Sequence, residues 1–163
     1  MEMSNVVDNF NGYVYKLIGD CVIGIFQADV NFTGMSDNAI QAAMIMRSVV
    51  EEVINPVFDS KDLPRIGFHI GLDIGRVKVD TMGAIDVVAF DELIGYTMNL
   101  TAKIQAKSGH NGILLGRNLF EVLHNSWQQY CEEEDMGTGW TARSPDGKEV
   151  YRVYRFNARA KCK

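Results

Sequence analysis

Gly19-Asp20 lies between two β-rich runs, Tyr13 to Ile18 and Val22 to Phe26, a spacing that predicts a tight hairpin with an aspartate at its tip. A tight turn holds such a carboxylate rigidly and leaves it exposed. That suits a bound cation, and it equally suits an ordinary turn residue. Further along, Asn99 and Lys103 are four residues apart, so a helix there sets an amide and a positive charge on one face. The plainer reading of Lys103 is a surface lysine on an amphipathic helix. Other chemistries find no support. His69, His110 and His124 have no metal-ligand spacing between them, and no Ser or Cys nucleophile arrangement is present. The acidic run from Glu132 to Asp135 reads as a solvated loop.

Several elements must position these residues. Val6, Val7 and Phe10 read as the tail of a helix that stops near Asn11-Gly12. Ser36 or Asp37 can cap a second helix, in which Ile40, Ala43, Met44, Val50, Val53 and Ile54 fall on one side and which Pro56 ends. Ile66 to Ile74 and Val77 to Val79 read as a strand pair around Gly75, and Val87 to Phe90 as a short strand. Gly95 opens a helix through about Lys107, and Gly109 to Gly112 break it. Ile113 to Leu115 then read as a strand and Asn118 to His124 as a short helix. Trp127 to Cys131 and Glu149 to Phe156 close the chain as β segments, with the turn signal Ser144-Pro145-Asp146-Gly147 between them. This order predicts a single α+β domain over residues 1–163, with helices on a largely antiparallel sheet.

The chain has 163 residues, 47% hydrophobic and 23% charged, enough for one domain with a real core. A net charge of -5 argues against a protein that coats nucleic acid or a membrane surface. Cys21, Cys131 and Cys162 are odd in number and lack CxxC spacing, which favours a reduced, cytoplasmic protein. No apolar run approaches the ~18 residues of a membrane span, and the first residues lack a signal-peptide pattern. The N-x-T matches at Asn31 and Asn99 therefore carry little weight as glycosylation sites.

Three stretches, in order, are similar to the class III nucleotidyl cyclase catalytic domain. They are Gly12 to Asp20, which contains Lys16-Leu17-Ile18-Gly19-Asp20; His69-Ile70-Gly71-Leu72-Asp73-Ile74-Gly75; and Ile94 to Ile104, which contains Asn99-Leu100-Thr101-Ala102-Lys103. Gly112 to Leu115 followed by a short helix also fits, so the resemblance covers nearly the whole chain. It implies a ferredoxin-like α+β fold and conversion of a nucleoside triphosphate to a 3′,5′-cyclic nucleotide and pyrophosphate. Asp20 then matches a metal-binding aspartate for Mg²⁺ or Mn²⁺, two ions being usual in the complete domain. Lys16 and Glu92 match the base-selecting positions, although Asp91 stands beside Glu92. A donor and an acceptor there can read a base edge with one acceptor and one amino donor, as in adenine or cytosine. Asn99 matches the residue that orients the ribose. Lys103 stands where an arginine usually contacts the phosphates, keeping the charge without the planar fork. Arg143 aligns loosely with a triphosphate-binding cation, and a solvated loop arginine is the competing reading.

The resemblance also implies departures. The family's first strand, with its D-x-x-G-F-T segment and first metal aspartate, has no counterpart here, so the domain reads as incomplete at its N-terminus. Lys103, Tyr96 and the Gly-Leu-Asp-Ile-Gly stretch look closer to a bacterial clade that includes the cytidylate and uridylate cyclases of anti-phage, Pycsar-type signalling. Class III sites form between two domains, so one chain bearing all these residues implies a head-to-tail homodimer. The rival readings are a non-catalytic pseudo-cyclase that binds nucleotide or dimerises, and an unrelated ferredoxin-like regulatory domain.

Overall fold

The central strand of the molecule is apolar throughout, and its side chains alternate between two helical layers. In the computed structural model, which describes residues 2–27, 30–82, 90–144 and 146–159, this strand is β6 (Gly112–Gly116), buried at every position. It lies in a four-stranded sheet of order β3-β6-β8-β7, with β3 spanning His69–Leu72, β7 Cys131–Glu133 and β8 Val153–Phe156. Ile113 and Leu115 point to one face. There they join Ile40, Ala43 and Met44 of helix α2 (Phe32–Ser48), Leu119 of α5 (Arg117–Val122), and Tyr154 and Phe156 of β8. Leu114 points to the other face and meets Val153, Tyr151 and Ala142 with Leu100 and Ile104 of α4 (Tyr96–Lys107). The period-2 alternation of β6 therefore sets the layer order of helix, sheet, helix.

Two further two-stranded units complete the described chain. The first is β1 (Tyr13–Ile18) with β2 (Cys21–Ile25), turned by Gly19 at a φ of 61° and Asp20. Helix α1 (Glu2–Asn9) packs on this hairpin through the buried Val6 and Val7, and Asn11 ends it at a positive φ of 59°. The second unit is β4 (Lys78–Met82) paired antiparallel with β5 (Phe90–Ile94), which runs through Gly95 into α4.

Several expectations require correction. The cap of α2 is Asn31, whose side chain accepts the Gly34 N–H at 2.8 Å. Ser36 lies inside the helix and gives its hydroxyl to the Phe32 carbonyl at 2.7 Å. Pro56 does not end the helix. A π-helical turn over Val49–Ile54 leads into α3 (Asn55–Asp59), where Pro56 sits in the first turn and needs no N–H donor. The wider turn shifts the helical phase, which leaves Val53 57% exposed rather than facing the core. No hairpin forms around Gly75. Strand β3 pairs parallel with β6, and β4 pairs with β5. The start of α4 occupies the space at that turn, since a Cβ on Gly75 would lie 2.2 Å from Thr97 Oγ1. The sheet is thus mixed, with one parallel and two antiparallel pairings among the described strands.

The expected strand at Trp127 to Cys131 begins only at Cys131, because Asn125–Gln128 forms a short helix, α6, capped by His124 Nδ1. The acidic run is part edge strand and part loop: Glu132 and Glu133 belong to β7, while Glu134 and Asp135 follow it, Glu134 pairing with Arg155 at 2.7 Å. Of the expected Val87 to Phe90 strand, residues 87–89 lie outside the described residues; Phe90 opens β5.

Helix α4 crosses β3 at Gly71. A Cβ there would stand 2.5 Å from the Gln105 backbone nitrogen and 2.7 Å from its Cα. Beyond β3, Asp73 is partly exposed as a residue but turns its carboxyl inward. The Tyr151 hydroxyl contacts both its oxygens at 3.0 Å, and the Ile74 N–H donates to it at 2.9 Å. Burial pushes its carboxyl up to about 6, against the lowering effect of those donors.

Two measurements check this packing. Gly71→Ala forces a side chain onto helix backbone, which costs about 2 kcal/mol or more, read as a lowered urea midpoint. Asp73 binds its proton more tightly folded than unfolded, so its contribution favours the fold at low pH. That contribution falls as pH rises from about 4 through about 6, on the order of 3 kcal/mol in all. Asp73→Asn removes this slope, so the difference in unfolding free energy between variant and parent grows between pH 4.5 and pH 7.5. A constant difference contradicts the buried carboxyl.

Candidate functional site

The β1–β2 hairpin and the β4–β5 hairpin are joined by two side chains from consecutive residues of β1. Strand residues one apart normally point to opposite faces. Here the register of β1 against β2 shifts between Val14 and Lys16, which puts a bulge at Tyr15. A bulge re-aims side chains, and Tyr15 and Lys16 both reach β5. The Lys16 ammonium donates to both Glu92 oxygens, at 2.7 and 2.9 Å. The Tyr15 hydroxyl accepts the Leu93 N–H at 2.8 Å and donates to the Glu92 carboxylate. The hydrogen bond from Lys16 holds Glu92 below the usual carboxylate range, and the same bond raises Lys16. With Lys16 41% and Glu92 26% exposed, this ion pair is a poor source of stability but an accessible donor–acceptor pair.

Helix α4 follows β5 directly. Asn99 and Lys103 lie on its exposed side, and among the described residues neither side chain makes a hydrogen bond or ion pair. The opposite side of α4 buries Leu100 and Ile104. The helix thus anchors through two apolar residues and presents the amide and the cation outward. At its first residue, the Tyr96 hydroxyl donates to the Arg143 carbonyl, which pins the late loop, the segment between β7 and β8 that carries Trp140, Ala142, Arg143 and Tyr151, beside the helix start. Arg143 also forms a backbone bridge with Val150, and its guanidinium has no partner among the described residues.

Asp20 stands at the tip of the first hairpin, exposed, and no bond joins it to α4 or the late loop among the described residues. The described residues contain no group of three or more His, Cys, Asp or Glu side chains placed to hold a metal ion. One carboxylate is not a divalent-cation site, so the residues present do not by themselves fit one.

The structure therefore brings Lys16 to Glu92 and holds Arg143 at the start of the helix bearing Asn99 and Lys103, while Asp20 remains apart. Sequence reasoning missed Tyr15, because period-2 alternation turns it away from Lys16 and a bulge leaves no compositional mark. It treated Tyr96 and the stretch holding Asp73 as mere departures from pattern, and passed over Tyr151 and its pairing with Asp73 across 78 residues.

No protein-family model matches the chain. A cytidylate cyclase of Escherichia coli is 27% identical over 124 residues, which is 72% of this chain and 27% of that protein. The chain thus spans about a quarter of the length of the curated relatives it matches. Among solved structures, the adenylyl cyclase CyaB from P. aeruginosa superposes with a TM-score of 0.76 at 19% identity, covering 98% of this chain and 79% of that one. The guanylyl cyclase Cya2 superposes with a TM-score of 0.74 at 18% identity, covering 98% of this chain and 76% of that one. These superpositions cover nearly the whole chain, which has the fold of a class III nucleotidyl cyclase domain.

Proposed function

We propose that this chain is the catalytic domain of a nucleotidyl cyclase that forms a 3′,5′-cyclic nucleotide and pyrophosphate from a nucleoside triphosphate, with cytidine triphosphate the favoured substrate. The observation that carries this reading is the Lys16–Glu92 pair at 2.7 Å, a donor and an acceptor assembled from positions 76 apart. On substrate binding the two exchange each other for a base edge. Lys16 donates to a ring nitrogen, and Glu92 accepts from an exocyclic amine. Cytosine and adenine present that pattern; the similarity to cytidylate cyclases favours cytosine.

Asn99 orients the ribose, and Lys103 and Arg143 meet phosphate oxygens as charge builds on them. Asp20 would supply one carboxylate toward Mg²⁺ or Mn²⁺, with further ligands needed from outside the described residues, and the ion's chemistry there would be to lower charge on the reacting oxygens. Since Asp20 makes no bond to the other groups among the described residues, the complete site forms in a head-to-tail homodimer. Asp20 of one copy then faces Asn99 and Lys103 of the other. An anti-phage signalling role accords with the same similarity.

The test incubates the full-length protein with ATP, CTP, GTP and UTP in the presence of Mn²⁺ and identifies products by mass. Cyclic CMP in excess over the others is the expected result. A protein that binds nucleotide yet makes no cyclic product is the pseudo-cyclase instead. Lys103→Ala reduces turnover by about 10²-fold or more with an unchanged melting curve.

Lys16→Met raises the Glu92 pKa, observed by carboxyl NMR titration, since the largest cause of its lowering is then gone. Tyr15→Phe leaves the fold intact and narrows the preference for bases bearing an exocyclic amine, read as a smaller ratio of kcat/KM for CTP over UTP.

A further inference from the structure

Asp73 is a buried carboxyl with no cation beside it. Among the described residues it forms no ion pair, and its polar neighbours are the Tyr151 hydroxyl and the Ile74 and Leu119 amides. Burying a charge this way costs stability unless something is gained. Gly116 faces it so closely that a Cβ would stand 2.5 Å from the carboxylate, so the pocket is shaped around this group. Tyr151 is only 2% exposed, and burial followed by the Asp73 charge raises its phenol, which stays protonated as the donor. Its oxygen also accepts the Asn118 N–H at 3.0 Å.

From Tyr151 the connections run outward into the late loop. Its N–H donates to the Ala142 carbonyl at 2.9 Å, and its carbonyl accepts the Trp140 indole N–H at 2.8 Å. Ala142 precedes Arg143, whose carbonyl receives the Tyr96 hydroxyl at the start of α4. One continuous path therefore leads from the Asp73 carboxyl to the backbone that carries Arg143 and the helix that carries Asn99 and Lys103.

We propose that the Asp73–Tyr151 hydrogen-bonded pair is a positioning device that fixes the late loop, and with it Arg143, against the first turn of α4 for triphosphate binding. The part that concerns triphosphate rests on the cyclase reading; the part that concerns the loop does not. Neither residue touches the substrate. Both act through Arg143.

The test uses the full-length protein with Tyr151→Phe, which deletes one oxygen, and Asp73→Asn as the second variant where the first fails to fold. The expected kinetic result is a KM for the triphosphate raised about tenfold with kcat within about twofold. In an Arg143→Ala background the same substitution changes KM no further, because the two act as one unit. Equal effects in both backgrounds overturn the proposal. A second readout is independent of activity. With Trp127→Phe, the remaining Trp140 reports the loop, and either variant shifts its emission and raises its accessibility to quencher. Folded variants with unchanged Trp140 emission overturn the device whether or not the protein is a cyclase. Absence of cyclic product from the parent, with the Trp140 shift intact, overturns the cyclase reading alone.

Discussion

Everything in the proposed site depends on how closely α4 lies against the sheet. Strand β3 bears no side chain at Gly71, so the helix backbone at Gln105 rests directly on it. A second close approach occurs at Gly112, where a Cβ would collide with the Ser108 carbonyl at the helix C-terminus. N-terminal to these contacts, Leu100 and Ile104 are buried on the same helix. With one face committed to the core, helical geometry turns Asn99 and Lys103 outward. The orientation of the polar face is a consequence of backbone packing rather than of any interaction the polar residues make.

The same segment carries Glu92, the acceptor of the proposed base-reading pair. Strand β5 runs through Gly95 into α4 without a loop, so Glu92 and Asn99 belong to one stretch of chain. The first hairpin is held to that stretch by Lys16 and Tyr15, and the late loop by Tyr96. Two segments distant in sequence thus converge on one strand–helix unit. The Lys16–Glu92 pair keeps two charged groups satisfied in the absence of a base. Because both are partly exposed, solvent screening makes the pair inexpensive to part, which the proposed exchange for a base edge requires.

Much of this was legible in the sequence. The Gly19-Asp20 hairpin, the α4 helix from Gly95 and the apolar β6 strand all carry local signals, and each formed. The failures share a cause in tertiary contacts. Ile66 to Ile74 and Val77 to Val79 look like hairpin partners, but β3 gains more by lying beside the buried β6, and Asp73 leads the chain away from the sheet. Pro56 looks like a stop, yet a preceding π-helical turn accommodates it. The acidic segment looks like a loop, yet its first half, Glu132 and Glu133, pairs with β8 as an edge strand. Among site residues, Lys16, Glu92, Asn99 and Lys103 stood out by motif. Tyr15 and the Asp73–Tyr151 pair did not, because a bulge and a contact across 78 residues have no local signature.

The central claim is that the reacting groups are completed across two copies of the chain, Asp20 from one and Asn99 and Lys103 from the other. Mixing Asp20→Ala with Lys103→Ala full-length proteins, each inactive alone, tests it directly. A twofold dimer that exchanges subunits at random gives mixed dimers with one intact site, and hence about a quarter of parental cyclase activity. Activity that stays at background, while both variants remain folded and exchange subunits, contradicts a shared site.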